Sequence, residues 1–253
     1  MGRFCLHNRL LDAFAGSRLL QTAAGLIRHS SRVLEDIRSL GNLRKREINV
    51  GTSLVFSGDY IVRLWLSMRS KFPDVQLLLI PFENTREQAD LILSSLGERV
   101  DVLAGMFDER FFEHYHCSGM VLERIPIGCS IPISDPLSGR KQISLHDLRG
   151  QTVYICEYGL LEDFDAAFDV LKAHCPQSTL VPFNFLDFEV FTQAEKDKAV
   201  IINVQHWAEA HPLFKSCAID WPLTARFGLI FAKHPSASLQ LFLDCLPRPQ
   251  PQA

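Results

Sequence analysis

The chain has 253 residues, of which 47% are hydrophobic and 22% are charged, so its composition is that of an ordinary globular protein with room for one large or two medium domains. The net charge of −3 is unevenly distributed, because residues 1–46 carry nine Lys and Arg against three Asp and Glu, a net of +6. A basic N-terminal part joined to an acidic remainder indicates that the N-terminal end meets an anionic partner.

The cysteines argue for a reducing compartment. The seven of them lie at positions 5, 117, 129, 156, 175, 217 and 245, without any Cys-X-X-Cys pair. An odd and scattered set is typical neither of a disulfide framework nor of a zinc site. The sequence holds no apolar run of the roughly 18 residues that a membrane span needs. Arg9, Asp12 and Arg18 interrupt any apolar core of a signal peptide. We therefore expect a cytoplasmic protein without membrane contact, metal or cofactor.

The N-terminal part predicts one long helix. Residues 1–17 show no clear pattern, whereas apolar side chains in residues 18–46 alternate four and three positions apart, which is typical of a coiled-coil seam. Two interpretations stay open: a surface helix packed on its own domain, or a helix that pairs with a second subunit. The length of the helix favours pairing into a homodimer or homotetramer. The dimerisation residues would be Leu19, Leu26, Val33, Ile37 and Leu40.

The segment from residue 48 to residue 105 predicts a β-α-β-α-β unit. Short apolar runs at 48–51, 75–82 and 100–105 are typical of buried strands. Two segments whose apolar residues have helical spacing lie between these runs. The first extends to Met68 and is ended by Pro73, and the second has Ala89 and Ile92 on one face. Right-handed crossovers would make the sheet parallel, and ligands bind beyond the carboxyl ends of the strands in such sheets.

The second half repeats this alternation. Residues 107–120 are predicted to be an irregular connection, and Pro126 and Pro132 favour a bent or edge strand over 121–134 that crosses to a second lobe. Residues 207–223 are predicted to be loop-rich, and the Pro- and Gln-rich tail 247–253 to be disordered. The predicted strands are 152–156, 179–183, 199–203 and 226–233, and the predicted helices are 161–174, 187–196 and one that begins near residue 236.

Four short passages carry a family resemblance. They are Gly51 at the end of the first strand, Phe72-Pro73 after the first helix, Leu96-Gly97 ahead of Val100-Asp101-Val102, and Ser134-Asp135-Pro136-Leu137 followed by ISLHDLRG at 143–150. In this order and at this spacing they resemble the effector-binding domain of LysR-type transcriptional regulators. The likeness covers roughly residues 18–246.

The resemblance implies an α/β fold with two Rossmann-like lobes joined by crossover strands, like a type II periplasmic-binding protein, after a long linker helix. Lobe I would comprise about 47–125 and 225–246, and lobe II about 126–224. Residues 1–17 would be a remnant of a winged helix-turn-helix or disordered, and residues 18–46 the linker and dimerisation helix. DNA would then be bound only through a helix-turn-helix that is missing from this chain.

The predicted function is sensing of a small-molecule effector between the lobes. Polar side chains at the strand ends and on the crossover are the candidates that bind it: Thr52, Ser53, Asn84, Thr85, Ser130, Glu157 and Tyr158. Ser57, which follows the first strand nearby, could equally be only a helix N-cap. The apolar residues 54–56 favour an aromatic or partly apolar effector.

Two other classes of protein compete with this reading. A solute-binding protein of a transporter shares the two-lobed plan, but it would need a signal peptide or lipobox. An enzyme would need a catalytic signature, and the sequence has no Gly-X-Ser-X-Gly, Walker lysine, His-Glu-X-X-His or Gly-X-Gly-X-X-Gly motif. We therefore predict that the chain is not an enzyme.

Overall fold

The structure is a computed structural model, and it describes residues 46–204 and 211–246. Three predictions lie outside the described residues: the segment 1–17, the linker helix as far as residue 45, and the tail 247–253. The same holds for the predicted dimerisation residues Leu19, Leu26, Val33, Ile37 and Leu40.

The described residues form ten strands and six α-helices. The strands are β1 (Arg46–Thr52), β2 (Val75–Pro81), β3 (Val102–Met106), β4 (Cys117–Pro132), β5 (Gln142–Ile143), β6 (Thr152–Cys156), β7 (Thr179–Phe183), β8 (Val200–Val204), β9 (Phe214–Ile219) and β10 (Thr224–Ala232). The helices are α1 (Gly58–Met68), α2 (Arg86–Ser94), α3 (Glu109–Tyr115), α4 (Glu162–His174), α5 (Phe188–Lys196) and α6 (Ala237–Asp244). Short 3₁₀ turns lie at Arg69–Lys71, Pro136–Gly139 and Leu145–Leu148.

Lobe I is built on a sheet in the order β2-β1-β3-β10-β4. β1 runs parallel to β2 and β3, whereas β10 is antiparallel to β3 and β4. The central strands β1 and β3 lie in the buried part of this sheet, and Ile48, Val50 and Val102 are fully buried. Ile61 of α1 is also fully buried, so this helix covers the sheet with its apolar face.

Lobe II repeats the plan with the order β4-β8-β6-β7. β6 is parallel to β7 and β8, β8 is antiparallel to β4, and β9 pairs with both β4 and β5. Ile155 of β6, Phe191 of α5 and Leu171 of α4 fill its core. The predicted fold of two α/β lobes joined by crossover strands is therefore confirmed.

The prediction that residues 121–134 form a bent or edge connection was wrong. They belong to β4, a strand of 16 residues that runs through both sheets. Residues 117–126 of β4 pair with β10, and residues 127–130 pair with β8. Pro126 stands where β4 exchanges one partner for the other, and Pro132 is its last residue, so neither missing N–H group breaks a ladder.

Two other predicted irregular segments hold regular structure. Residues 107–120 contain α3, which begins where the Asp108 carboxylate accepts a hydrogen bond from the Phe111 amide at 2.8 Å, and the start of β4. The segment predicted to be loop-rich contains β9, which is held between β4 and β5. Both elements are short, and the contacts that stabilise them come from distant parts of the chain.

Candidate functional site

A cavity of about 340 Å³ lies between the two lobes. Its volume falls at the lower end of the range of about 300–1,000 Å³ that is usual for small-molecule sites. Lobe I lines it with Val55, Phe56, Arg86, Ala89, Asp90, Leu93, Met106, Arg110, Phe111, His114 and Tyr115. Lobe II lines it with Cys156, Gly159, Leu160, Leu161, Phe164, Phe183, Asn184, Phe185, Leu186 and Ile202.

Helix α2 supplies one wall. The hydroxyl of Thr85 caps this helix by accepting a hydrogen bond from the Gln88 amide at 3.3 Å. The residues of α2 that line the cavity stand at positions i, i+3, i+4 and i+7 of the helix and therefore share one face. They are Arg86, Ala89, Asp90 and Leu93.

Two hydrogen bonds join the lobes beside this wall, and we call them the rim contacts. Asn84 Nδ2 donates to the main-chain oxygen of Leu186 at 2.9 Å, and Arg86 Nη1 donates to that of Asn184 at 3.0 Å. The side-chain oxygen of Asn84 also accepts from Ser53 Oγ at 3.0 Å and from the Val55 amide at 3.2 Å. Asn84 thereby fixes the loop after β1 and contacts lobe II at the same time.

Asp90 of α2 is paired with a cation of its own helix and with the tyrosine that ends α3. Arg86 Nε donates to Asp90 Oδ2 at 2.9 Å, and the hydroxyl of Tyr115 donates to Asp90 Oδ1. Burial, followed by the hydrogen bond to Asp90, raises the pKa of Tyr115 above its ordinary value, so the phenol stays a neutral donor. Both oxygens of the Asp90 carboxylate are therefore occupied.

On the other side of the cavity, near the crossing strands, the lobes are joined by charged groups that we call the hinge contacts. Asp108 is only 2% exposed, and its carboxylate accepts a hydrogen bond of 2.8 Å from the Glu162 amide at the start of α4. Arg110 Nη2 lies 2.9 Å from Asp165 Oδ2 and 3.1 Å from Asp108. The carboxylate of Asp108 thus caps α3 and also meets the first amide of a helix in the opposite lobe.

Arg226 of β10 completes the hinge contacts. Its amide and its Nε both donate to Asp163, at 2.9 and 3.2 Å, and its Nη2 donates to Glu162 at 2.6 Å. These carboxylates lie in the first turn of α4, where the helix dipole favours negative charge. The crossing strand is therefore fixed to lobe II by an ion pair with several hydrogen bonds.

The sequence-predicted residues of lobe I lie together, next to the cavity lining rather than in it. Thr52 accepts from the Gly58 amide at 3.2 Å, Ser53 bonds Asn84, and Thr85 caps α2. Their hydrogen bonds organise the turns from which Val55, Phe56 and Arg86 reach the cavity.

The predicted residues of lobe II are not brought together with them. Ser130 and Asn203 are both 1% exposed and form a buried pair at 2.7 Å between β4 and β8. Tyr158 is 56% exposed, and its ring packs against Phe168. Glu157 lines a second, open depression of lobe II.

Sequence reasoning missed several residues that line the cavity. Cys156 is the last residue of β6 and lines the cavity. It was missed because only residues after the end of the strand, Glu157 and Tyr158, were selected. Burial raises the pKa of the Cys156 thiol to about 12, so the thiol is neutral. Arg86 and Asp90 had a signal in the helical spacing of α2, whereas nothing in the pattern of the sequence predicts that residues 183–186 meet them.

Neither a cluster of metal ligands nor a helix of membrane-spanning length is present in residues 46–204 and 211–246. Within these ranges, His, Cys, Asp and Glu side chains do not form a group of three that could hold a metal ion. His114 lies on α3 and His116 ends that helix in a left-handed conformation, while Cys117 begins β4. Within the same ranges, the structure has no helix long and apolar enough to cross a membrane.

The architecture is that of a two-lobed α/β domain, and comparison with solved structures shows whose fold it shares. The LysR family transcriptional regulator CbnR aligns with a TM-score of 0.59 at 16% identity over 91% of this chain and 78% of that chain. The effector-binding domain of QuiR in complex with shikimate gives a TM-score of 0.54 at 17% identity, over 78% of this chain and 93% of that chain. The regulatory domain of CcmR from Synechocystis PCC6803, in complex with 2-PG, gives a TM-score of 0.51 at 17% identity, over 79% of this chain and 93% of that chain.

The chain therefore has the fold of LysR-type effector-binding domains, as the resemblance in the sequence predicts. No protein-family model matches the sequence, and no curated protein matches it significantly. At this level of identity the likeness establishes the fold, and the function has to be argued from the cavity.

Proposed function

We propose that this chain is the ligand-sensing and oligomerisation module of a LysR-type transcriptional regulator, and that it binds a small-molecule effector between its lobes. The observation that carries the proposal is the cavity itself, because both lobes line it and the rim and hinge contacts bridge it. A molecule that touches both lobes favours the conformation in which they are close, and so shifts the equilibrium between open and closed forms.

The sequence-predicted residues keep a place in this proposal. Thr52, Ser53, Asn84 and Thr85 hold the rim of the site in shape, through hydrogen bonds that end on the turns before α1 and α2. Contact of the effector with Thr52, Ser53, Asn84, Thr85, Ser130, Glu157 or Tyr158 stays a prediction. We propose binding without a metal or cofactor, rather than catalysis, in keeping with the regulators that share the fold.

The site is tested by filling the cavity. Ala89 is 2% exposed and lines it from the middle of α2, so Ala89→Trp places an indole where the effector would lie. A compound found by screening for a rise in Tm should lose that effect in the variant, because a ligand stabilises only a fold that can bind it. Leu91→Trp is the matched control, since Leu91 is 60% exposed on the same helix. If both variants respond like the unaltered protein, the cavity is not the site.

The rival function, a solute-binding protein of a transporter, makes a different prediction in cells. Deleting the gene of a regulator changes transcript levels in response to the effector and leaves uptake of that compound intact. Deleting the gene of a solute-binding protein abolishes uptake. Loss of uptake with an unchanged transcript response would favour the transporter.

The oligomer and the DNA partner are proposals of the same kind. We propose a cytoplasmic homodimer or homotetramer that reaches DNA through a helix-turn-helix. Leu26→Asp together with Val33→Asp should convert the assembly to monomers, because each change buries a charge in the predicted seam. Light scattering measures the mass, and a monomeric unaltered chain would contradict the proposal.

A further inference from the structure

The lining of the cavity indicates which chemical class of ligand it accepts, and this inference rests on the function proposed above. Apolar side chains cover most of both walls, and five phenylalanine rings are among them. The rings come from both lobes: Phe56, Phe111, Phe164, Phe183 and Phe185. Such walls favour a flat or branched apolar body, because they remove apolar surface from water on both sides of it.

The cations at the cavity are already neutralised. Arg86 is paired with Asp90, and Arg110 is paired with both Asp108 and Asp165. Three carboxylates therefore face two guanidinium groups. An anionic ligand would have to break one of these pairs or enter beside surplus negative charge, and it would also lose its own hydration.

The remaining polar groups of the lining suit a neutral partner. The Cys156 thiol stays protonated at physiological pH because burial raises its pKa. The amide side chain of Asn184 and the imidazole of His114 lie along the same lining. Together they offer hydrogen bonds to a hydroxyl, carbonyl or amide without placing a full charge opposite it.

We propose that the ligand is a neutral, largely apolar molecule with a ring system and a hydrogen-bonding group, and that carboxylates and phosphates are disfavoured. This separates the chain from QuiR, whose effector-binding domain was solved with shikimate. In this chain the preference would follow from the charge balance around α2 and α3.

Matched pairs of probes test the inference. 2-Naphthamide against 2-naphthoate, and indole-3-acetamide against indole-3-acetate, differ in charge at nearly constant shape. Binding to the whole chain is measured by ligand-observed NMR titration, at a mildly alkaline pH that keeps an ordinary histidine neutral. We expect each amide to bind at least about ten-fold more tightly than its acid. The reason is that the acid has to disrupt an ion pair of Arg86 or Arg110, whereas the amide leaves both pairs intact. Binding should be lost in Ala89→Trp and kept in Leu91→Trp.

The outcomes separate this inference from the proposed function. Acids that bind as tightly as their amides, with binding lost in Ala89→Trp, overturn the neutral class and leave the cavity as the site. A failure of both series to bind overturns the inferred ligand class and leaves the proposed function to the screen for a rise in Tm. Binding that survives Ala89→Trp contradicts the proposed function and the inference with it.

A charge variant then tests the cause. Asp90→Asn removes one carboxylate from the cavity while keeping a side-chain oxygen for Arg86 or Tyr115. The preference for amides over acids should fall several-fold in this variant. Asp59→Asn makes the same charge change at an exposed ion pair of α1 and should leave the preference unaltered. An unchanged preference in Asp90→Asn overturns the electrostatic explanation.

Discussion

The rim contacts and the hinge contacts join the same two lobes with different chemistry. At the rim, Asn84 and Arg86 donate to main-chain oxygens, which are neutral acceptors that water can replace. At the hinge, Asp108, Asp163 and Arg226 are largely buried and make charged hydrogen bonds across the lobes. Asp163 accepts from Arg226, and Asp108 accepts from the Glu162 amide and pairs with Arg110. The comparison predicts that the lobes separate at the rim and stay joined at the hinge when the domain opens, as the proposed ligand-dependent closure requires.

The largest loss of stability is expected from a substitution at Asp108, at the centre of the hinge contacts. Asp108→Ala leaves the amides of Phe111 and Glu162 without their acceptor and removes a partner of Arg110. We expect the free energy of unfolding to fall by about 3 kcal/mol, because the carboxylate is buried and serves both lobes. Urea denaturation measures this, and Asp108→Asn, which keeps one acceptor oxygen, should lose less. A loss near zero for the alanine variant would remove the distinction between hinge and rim.

A smaller loss is expected at Asp163. This side chain is 16% exposed and accepts from both the amide and the Nε of Arg226. Asp163→Ala should lower the free energy of unfolding by about 2 kcal/mol, as is usual for hydrogen bonds to a charged group. Glu162→Ala is the matched control, because the neighbouring Glu162 side chain is 69% exposed and its ion pair with Arg226 contributes little. Equal losses in the two variants would contradict the account.

The smallest effect on stability is expected at the rim, together with a change of shape. Arg86→Ala removes the bond to Asn184 and should lower the free energy of unfolding by about 1 kcal/mol or less. Small-angle scattering should nevertheless show a larger radius of gyration, since the lobes separate on that side. Arg63→Ala, which breaks an exposed ion pair on α1, serves as the control and should leave the radius unchanged. An unchanged radius in Arg86→Ala would show that the rim does not hold the lobes together.

The elements that the sequence predicted well are those whose pattern is local. Strands β1, β2, β6 and β7 are runs of apolar residues ended by turn formers, and α4 combines apolar spacing with acidic residues in its first turn. Strand β4 was mispredicted because Pro126 predicts an interruption of the strand. The sequence does not show that β4 changes its pairing partner from β10 to β8 at this residue, where the missing N–H group is tolerated. Helix α3 has seven residues, too few for a periodic pattern to stand out.

The site was harder to predict than the fold because distant contacts build it. Ser53 and Asn84 were chosen from the strand ends, and they are bonded to each other. The bond from Asn84 to Leu186 and the bond from Arg86 to Asn184 join residues about a hundred positions apart, and no local sequence pattern predicts them. Asp90 and Arg110 were not among the residues selected from the sequence. Only the tertiary structure shows that each is paired at the cavity, Asp90 with Arg86 and Arg110 with Asp108 and Asp165.

The most direct test of the central claim is a crystal structure of the protein soaked with 2-naphthamide. The account predicts that the ring system lies between the face of α2 at Ala89 and the segment Phe183–Leu186 of lobe II, with the rim contacts in place. Clear density for the amide at another site, with the cavity between the lobes filled only by water, would contradict it.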